Sequence, residues 1–302
     1  MIIVIFVSIM NKSILLIVLV SCCFYSINSQ VKYSSAWFGP NANPVPEVTG
    51  AIIPHNTEFT FRSDYSFNQG DKTLSTSLKI EIPLIAEKVS IKLWSDFFEY
   101  YKVSEEIKFS RNMIDGSGIS TGDIYFQTRI KILSESKYKP AMIFNSTLKT
   151  ASGSNFANRR FFDTPGYYFD LEFSKVFIIK STIIDKIKFT GNTGFMCWET
   201  SGSQQNDAIM YALESSVFKK NLSLDIFLGG YDGWMYKHPA FGKDYGDSPF
   251  VFSLKLNYKS VDKTFYIKYL KGLNDFPYNQ LSLGLTVPLK KLNPVFNNKN
   301  NE

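Results

Sequence analysis

At 302 residues the chain can form one large domain or two ordinary ones, and 44% hydrophobic with 20% charged residues excludes wholesale disorder. Two histidines and three cysteines argue against a zinc fold, a disulfide scaffold or most histidine-based catalysis, and a net charge of +6 without a Lys/Arg block argues against a nucleic-acid binder. Aromatic residues are in excess, at 16% with 27 Phe and 17 Tyr, and need a structural use.

The first 29 residues read as an export signal. Residues 1–27 are apolar apart from Lys12 and a few small polar side chains. Met10-Asn11-Lys12 supplies a positive start, residues 14–20 an apolar stretch, and Ile27-Asn28-Ser29 a small-residue exit before Gln30, the anatomy of a secretory signal peptide. Leu19-Val20-Ser21-Cys22 also has the form of a lipobox, which would make Cys22 a lipidated first residue, and a retained anchor helix is a third reading. Residues 30–57, punctuated by Pro40, Pro44, Pro46 and Pro54, form an extended lead, either a periplasmic tail or a short plug.

From residue 58 a period of two takes over. Phe59, Phe61, Tyr65 and Phe67 alternate with Thr60, Arg62, Asp64 and Ser66, and Leu74, Leu78, Ile80 and Ile82 with Ser75, Ser77, Lys79 and Glu81. Residues 123–133 are the cleanest case, setting Ile124, Phe126, Ile130 and Ile132 against Asp123, Gln127, Arg129 and Lys131. Successive strand side chains point to opposite faces, so each segment has one greasy and one polar face. Further strands are expected near 89–97, 140–149, 166–177, 186–198, 207–218, 222–231, 249–259, 263–272 and 278–288, about twelve in all, each near the ~9–11 residues a tilted membrane strand needs.

Loop lengths sort by parity. The connections 85–88, 134–139, 219–221 and 260–262 are short and 178–185 is looser, while the opposite parity includes the long ones 98–122, 150–165 and 232–248. A soluble β-sandwich, the competing all-β reading, gives no such sorting by default. An outer-membrane barrel does, with short periplasmic turns and longer external loops. A strand crosses hydrocarbon only with its backbone groups paired, so the expected fold is a transmembrane antiparallel up-and-down β-barrel spanning 58–289, followed by a polar tail at 290–302. Tyr65, Phe67, Phe97, Tyr101, Tyr167, Phe169, Phe250 and Phe252 lie on the apolar parity near strand ends, where barrels carry aromatic girdles.

The opposite parity would line the lumen with both signs of charge. The cations are Arg62, Lys79, Lys92, Arg129, Lys131, Lys149, Lys188, Lys255 and Lys268. The anions are Asp64, Glu81, Asp96, Asp123, Asp170, Glu172, Glu214 and Asp225, and the neutral Gln127 shares their face. Twelve strands fall between eight, which side chains fill, and sixteen, which leave an aqueous pore, so a narrow channel and a salt-bridged filled barrel are both open. The 150–165 connection carries Arg159, Arg160 and Asp163, a candidate cationic constriction that would favour anions. The 232–248 connection, with Gly233, Trp234, Tyr236, Phe241 and Tyr245, suits a packed external loop or a sugar platform.

An enzyme is not expected. His55 precedes the first strand, no Gly-x-Ser-x-Gly elbow occurs, and His238 beside Asp232 or Asp244 is an isolated acid–base candidate. No metal site or cofactor is expected, and Asp115-Gly116-Ser117-Gly118 is no complete calcium loop. The expected partners are outer-membrane lipid and lipopolysaccharide, the barrel-insertion machinery and small solutes, with no nucleic acid.

Gly122-Asp123-Ile124-Tyr125-Phe126, Lys139-Pro140 and Leu148-Lys149-Thr150-Ala151-Ser152-Gly153 resemble the hairpin of transporter-like outer-membrane barrels, the group that includes the family named for a meta-pathway of phenol degradation. Gln30 after the signal, Gly39-Pro40-Asn41-Ala42 and Asp163-Thr164-Pro165-Gly166 resemble uncharacterised outer-membrane barrel proteins of Bacteroidota. The resemblance implies a barrel in a bacterial outer membrane and assigns no residue a function. Residues and resemblance together point to a narrow passive channel for small polar or aromatic solutes. A non-conducting structural or assembly-partner barrel is the alternative, and an outer-membrane hydrolase a more distant one.

Overall fold

Strands form where alternation is sustained, and their order follows from the turns between them. The computed structural model describes residues 35–68, 70–179, 181–200, 204–233, 238–240 and 243–292. Residues 1–34 with the signal and Cys22, the loop aromatics Trp234, Tyr236 and Phe241, and the tail beyond 292 lie outside the described residues. Among the described residues the strands are β1 Glu58–Asn68, β2 Asp71–Ile85, β3 Val89–Val103, β4 Ser117–Ser120, β5 Ile124–Leu133, β6 Ala141–Lys149, β7 Gly166–Ile178 and β8 Lys186–Thr200. They continue as β9 Gln204–Lys219, β10 Leu222–Gly233, β11 His238–Ala240, β12 Lys243–Tyr245, β13 Phe250–Ser260, β14 Lys263–Asn274 and β15 Asn279–Pro288.

Twelve of these close an antiparallel barrel. Each pairs with its neighbour in the chain, and β1 pairs with β15 to seal the ring, with Phe61 opposite Leu285 and Arg62 opposite Gly284. The short β4 extends the sheet beyond β3, and β11 with β12 forms a separate hairpin. The long connections lie at one end of the barrel, and the short turns after β2, β9 and β13 lie at the other together with the entry to β1.

Burial runs opposite to that of a water-soluble protein. Phe126, Ile130, Ile209, Leu213, Ile267 and Leu283 are exposed on the outer wall, while Asp64, Glu81, Arg129, Asn145, Glu172 and Lys268 are buried. The wall's oil-facing side is therefore the side with large aliphatic and aromatic groups, as a membrane barrel requires. Leu213, 68% exposed in the middle of β9, tests this directly. Leu213→Lys is expected to lower stability by about 2–4 kcal/mol, the cost of a cation near the bilayer midplane. Urea unfolding in lipid vesicles would read it.

Two features depart from simple alternation. The pairing of β2 with β3 shifts register between Thr76 and Ser77, where Phe97 is inserted as a bulge. A bulge flips the parity beyond it, so Glu99 and Tyr101 turn inward and are fully buried while Tyr100 faces out. Tyr101 is therefore not a girdle residue. The 98–122 connection also holds more structure than a loop: the end of β3, the strand β4, and a helix α1 at Glu105–Ser110. Ser104 caps this helix by accepting from the Ile107 backbone N–H.

Candidate functional site

The barrel's interior is occupied by the chain that precedes it. Residues 38–57 contain four prolines and no strand. They run from the long-loop end, where Ala36 and Phe38 lie, to the short-turn end, where Ala51 and Ile53 pack on Ala141 and Ile143 of β6. Proline removes backbone donors and disfavours pairing, so wall side chains hold this segment in place of neighbouring strands.

Three stations hold it. At the long-loop end, Arg111 donates to the Ala36 carbonyl at 3.1 Å, the Tyr278 hydroxyl to the Phe38 carbonyl at 3.1 Å, and Asn41 to Glu99 at 2.7 Å. Gly39 passes so close to Arg160 that a Cβ there would stand 2.6 Å from the guanidinium carbon. Beneath lies a buried charge network. Asp71 accepts from Arg111 at 2.8 Å, Tyr278 at 2.9 Å and Arg160 at 3.4 Å, and Arg160 also donates to Glu99 at 2.7 Å. Burial opposes the Arg160 charge, but Glu99 and then Asp71 outweigh it and raise its pKa above the ordinary value.

At the middle station, Glu47 meets Lys268 at 2.5 Å and Arg62 at 3.5 Å. Both cations belong to the wall, so Glu47 ties the segment to β14 and β1 at once. At the third, Glu172 accepts from the Thr49 N–H at 2.9 Å, the Thr49 hydroxyl at 3.1 Å and the Ala51 N–H. Arg129 donates to the Ile52 carbonyl at 3.0 Å and to Thr49 while paired with Glu81 at 2.5 Å. Gly50 between them has φ +87°, and a Cβ there would stand 2.4 Å from the Lys188 ammonium.

Six of the charges expected in the lumen form three pairs with one another. Arg62 binds Asp64 at 2.7 Å, Lys149 binds Asp123 at 2.7 Å, and Lys255 lies 3.4 Å from Asp225. Asn145 joins Arg129 to Asp170, Gln127 donates to Thr147, and Ser216 donates to Glu214. The Lys92 ammonium sits 4.9 Å from the Trp94 ring centroid. Asp96 is half-buried near the β3 bulge, and Lys131 is half-buried near the irregular end of β5.

Both cations of the 150–165 connection are engaged within the fold. Arg160 is fully buried with two carboxylates on it, and Arg159 bonds the Arg111 carbonyl and covers the Trp37 and Phe156 rings. Asp163 is exposed. The loop's positive charge is thus used to pin the interior segment. Tyr245 is buried against Ala36, while the side chain of His238 lies outside the described residues.

One set of interior residues was not singled out from the sequence. Near the long-loop end the inward face of β8 to β14 turns apolar: Met196, Trp198, Met210, Phe227, Tyr231 and Leu270 are buried and pack around Trp37, Phe38, Ala42 and Val45. The signal was present, because the inward parity of β8 reads Lys188, Thr190, Asn192, Gly194, Met196, Trp198. At the long-loop end the interior is therefore charged on the β2–β3 side and oily on the β8–β14 side.

No protein-family model matches the chain, and no curated protein matches it. Among solved structures, the fold is similar to that of an outer membrane channel from Pseudomonas putida F1, with a TM-score of 0.56 and 12% identity over 86% of this chain and 100% of that one. The NanC porin gives a TM-score of 0.48 and 11% identity over 76% and 100%. At such identities the likeness is one of fold.

Proposed function

We propose that this protein is a bacterial outer-membrane channel, passing small polar or aromatic solutes passively and held closed by its own pre-barrel segment. The observation that carries the reading is how that segment is held. Side-chain hydrogen bonds and ion pairs from Arg111, Lys268, Glu172 and Arg129 anchor it, and no sheet pairing does. It can withdraw without breaking a strand ladder, and twelve strands around a vacated axis leave a narrow passage. The mixed wall, charged on the β2–β3 side and aromatic on the β8–β14 side, suits solutes that carry both characters. The similarity to a solved outer membrane channel supports the same reading. In this reading lipid surrounds the aliphatic wall, lipopolysaccharide meets the long-loop end, and the chain reaches the membrane through the barrel-insertion machinery.

The second reading, a sealed barrel with a structural role, draws on the same filled interior. Planar-bilayer recording of the full chain separates them. Brief, discrete openings are the expected result. Silence at every voltage, with no solute flux into loaded vesicles, would remove the channel. A hydrolytic role has less support, since His55 is exposed at the short-turn end and faces Glu87 at 3.7 Å.

A further inference from the structure

Glu47 is the one acidic residue of the interior segment, and residues 35–57 carry no lysine or arginine. Its carboxylate meets two wall cations within ion-pair distance, Lys268 of β14 and Arg62 of β1, and two more, Lys255 of β13 and Lys79 of β2, act on it from further away. Within ion-pair distance, Asp64 answers Arg62 and Asp225 answers Lys255. Glu47 answers Lys268, and no carboxylate of the described residues lies within that distance of Lys79. Within that distance Lys79 is the one of the four left unanswered, and removal of Glu47 would leave Lys268 in the same state, in an interior where an unpaired charge is expensive.

We infer that this nest is a binding site for the carboxylate of a small organic acid, and that Glu47 occupies it as a tethered stand-in for that ligand. The site is built, since Lys268 is only 5% exposed, and it is reachable, since Glu47 is 48% exposed. Its surroundings suit an acid with an apolar body. Glu47 lies between Val45 and Val48, which belong to the interior's apolar cluster, and the Tyr266 ring lies 5.3 Å from the Lys255 ammonium.

The inference rests on the channel reading for its consequence. A solute that takes Lys268 from Glu47 removes the middle anchor of the segment, so the permeant species loosens its own barrier. A neutral molecule has no claim on those cations and leaves the anchor in place.

Calorimetry on the full chain in detergent tests the site without requiring a pore, with benzoate as probe and benzamide as its uncharged isostere. Glu47→Ala, which vacates the nest, is expected to bind benzoate at least about tenfold more tightly than the wild type does, the wild type meeting its own carboxylate as competitor. Benzamide is expected to show no such preference, and Lys268→Met added to Glu47→Ala is expected to abolish benzoate binding. Where Glu47→Ala fails the gel-mobility test for a closed barrel, Glu47→Gln, which keeps the shape and drops the charge, carries the same comparison. Equal affinity for benzoate in wild type and variant, equal binding of benzamide, or survival of binding without Lys268 would overturn the inference. A silent barrel that binds benzoate keeps the site and removes the channel. A conducting barrel indifferent to benzoate does the reverse.

Discussion

A barrel lacking residues 35–55 is expected to conduct continuously in planar bilayers, at the unit conductance that the full chain reaches only in its brief openings. The argument starts from what the deletion leaves intact. The closing pair β1–β15 and the turn end that carries Thr57 remain, with the Thr57 carbonyl still accepting from Leu289 at 2.6 Å. What it removes is the Trp37, Phe38, Ala42 and Val45 cluster and every group that Glu172 and Arg129 hold from inside. Water can solvate those released wall charges, so the barrel survives as a wet tube.

A single substitution grades the same effect. Glu172→Gln keeps the shape but turns one of the two oxygens that accept from the Thr49 and Ala51 N–H groups into a donor, so one of those bonds is lost and the other loses its charge. Hydrogen bonds to charged groups contribute about 1.5–3 kcal/mol, which is roughly ten- to a hundredfold in the ratio of closed to open states. Recordings would show longer openings with unchanged unit conductance, because the pore is the same and only its occupancy differs. Unchanged open times in Glu172→Gln together with a silent deletion variant would mean the interior segment is not the barrier.

The wall was legible in the sequence and the filling was not. Period-two alternation is a backbone property, so Ile130 beside Arg129 announces two faces before any coordinates exist. Antiparallel neighbours then need only short turns, and the parity of loop lengths places the ends. The interior segment has no period to read. Its prolines mark an extended chain, but its path is set by Glu172, Lys268 and Arg111, which lie far away in sequence. Arg160 misled for a related reason: a cation in a long loop looks solvent-facing until Asp71 and Glu99 are brought beneath it. Tyr101 failed on one inserted residue, since a bulge at Phe97 leaves no mark in composition and reverses every side chain after it.

The largest loss of stability is expected from Asp71→Ala. Asp71 is fully buried and takes Arg111 at 2.8 Å, Arg160 at 3.4 Å and the Tyr278 hydroxyl at 2.9 Å, so its removal leaves two buried guanidiniums facing the single carboxylate of Glu99. Breaking a buried pair by deleting one partner costs about 3–5 kcal/mol. The penalty is uncompensated charge, which makes it reversible by design. Asp71→Ala combined with Arg111→Met restores one cation to one carboxylate, Arg160 with Glu99, and is expected to recover most of the loss although it removes more hydrogen bonds. Urea unfolding in vesicles measures both variants, and the temperature at which the heated barrel changes gel mobility gives an independent scale. If the double variant is less stable than Asp71→Ala, the network contributes through its hydrogen bonds rather than its charge balance. Because Arg111 also holds the Ala36 carbonyl, that variant should open more readily than the wild type even where its stability returns.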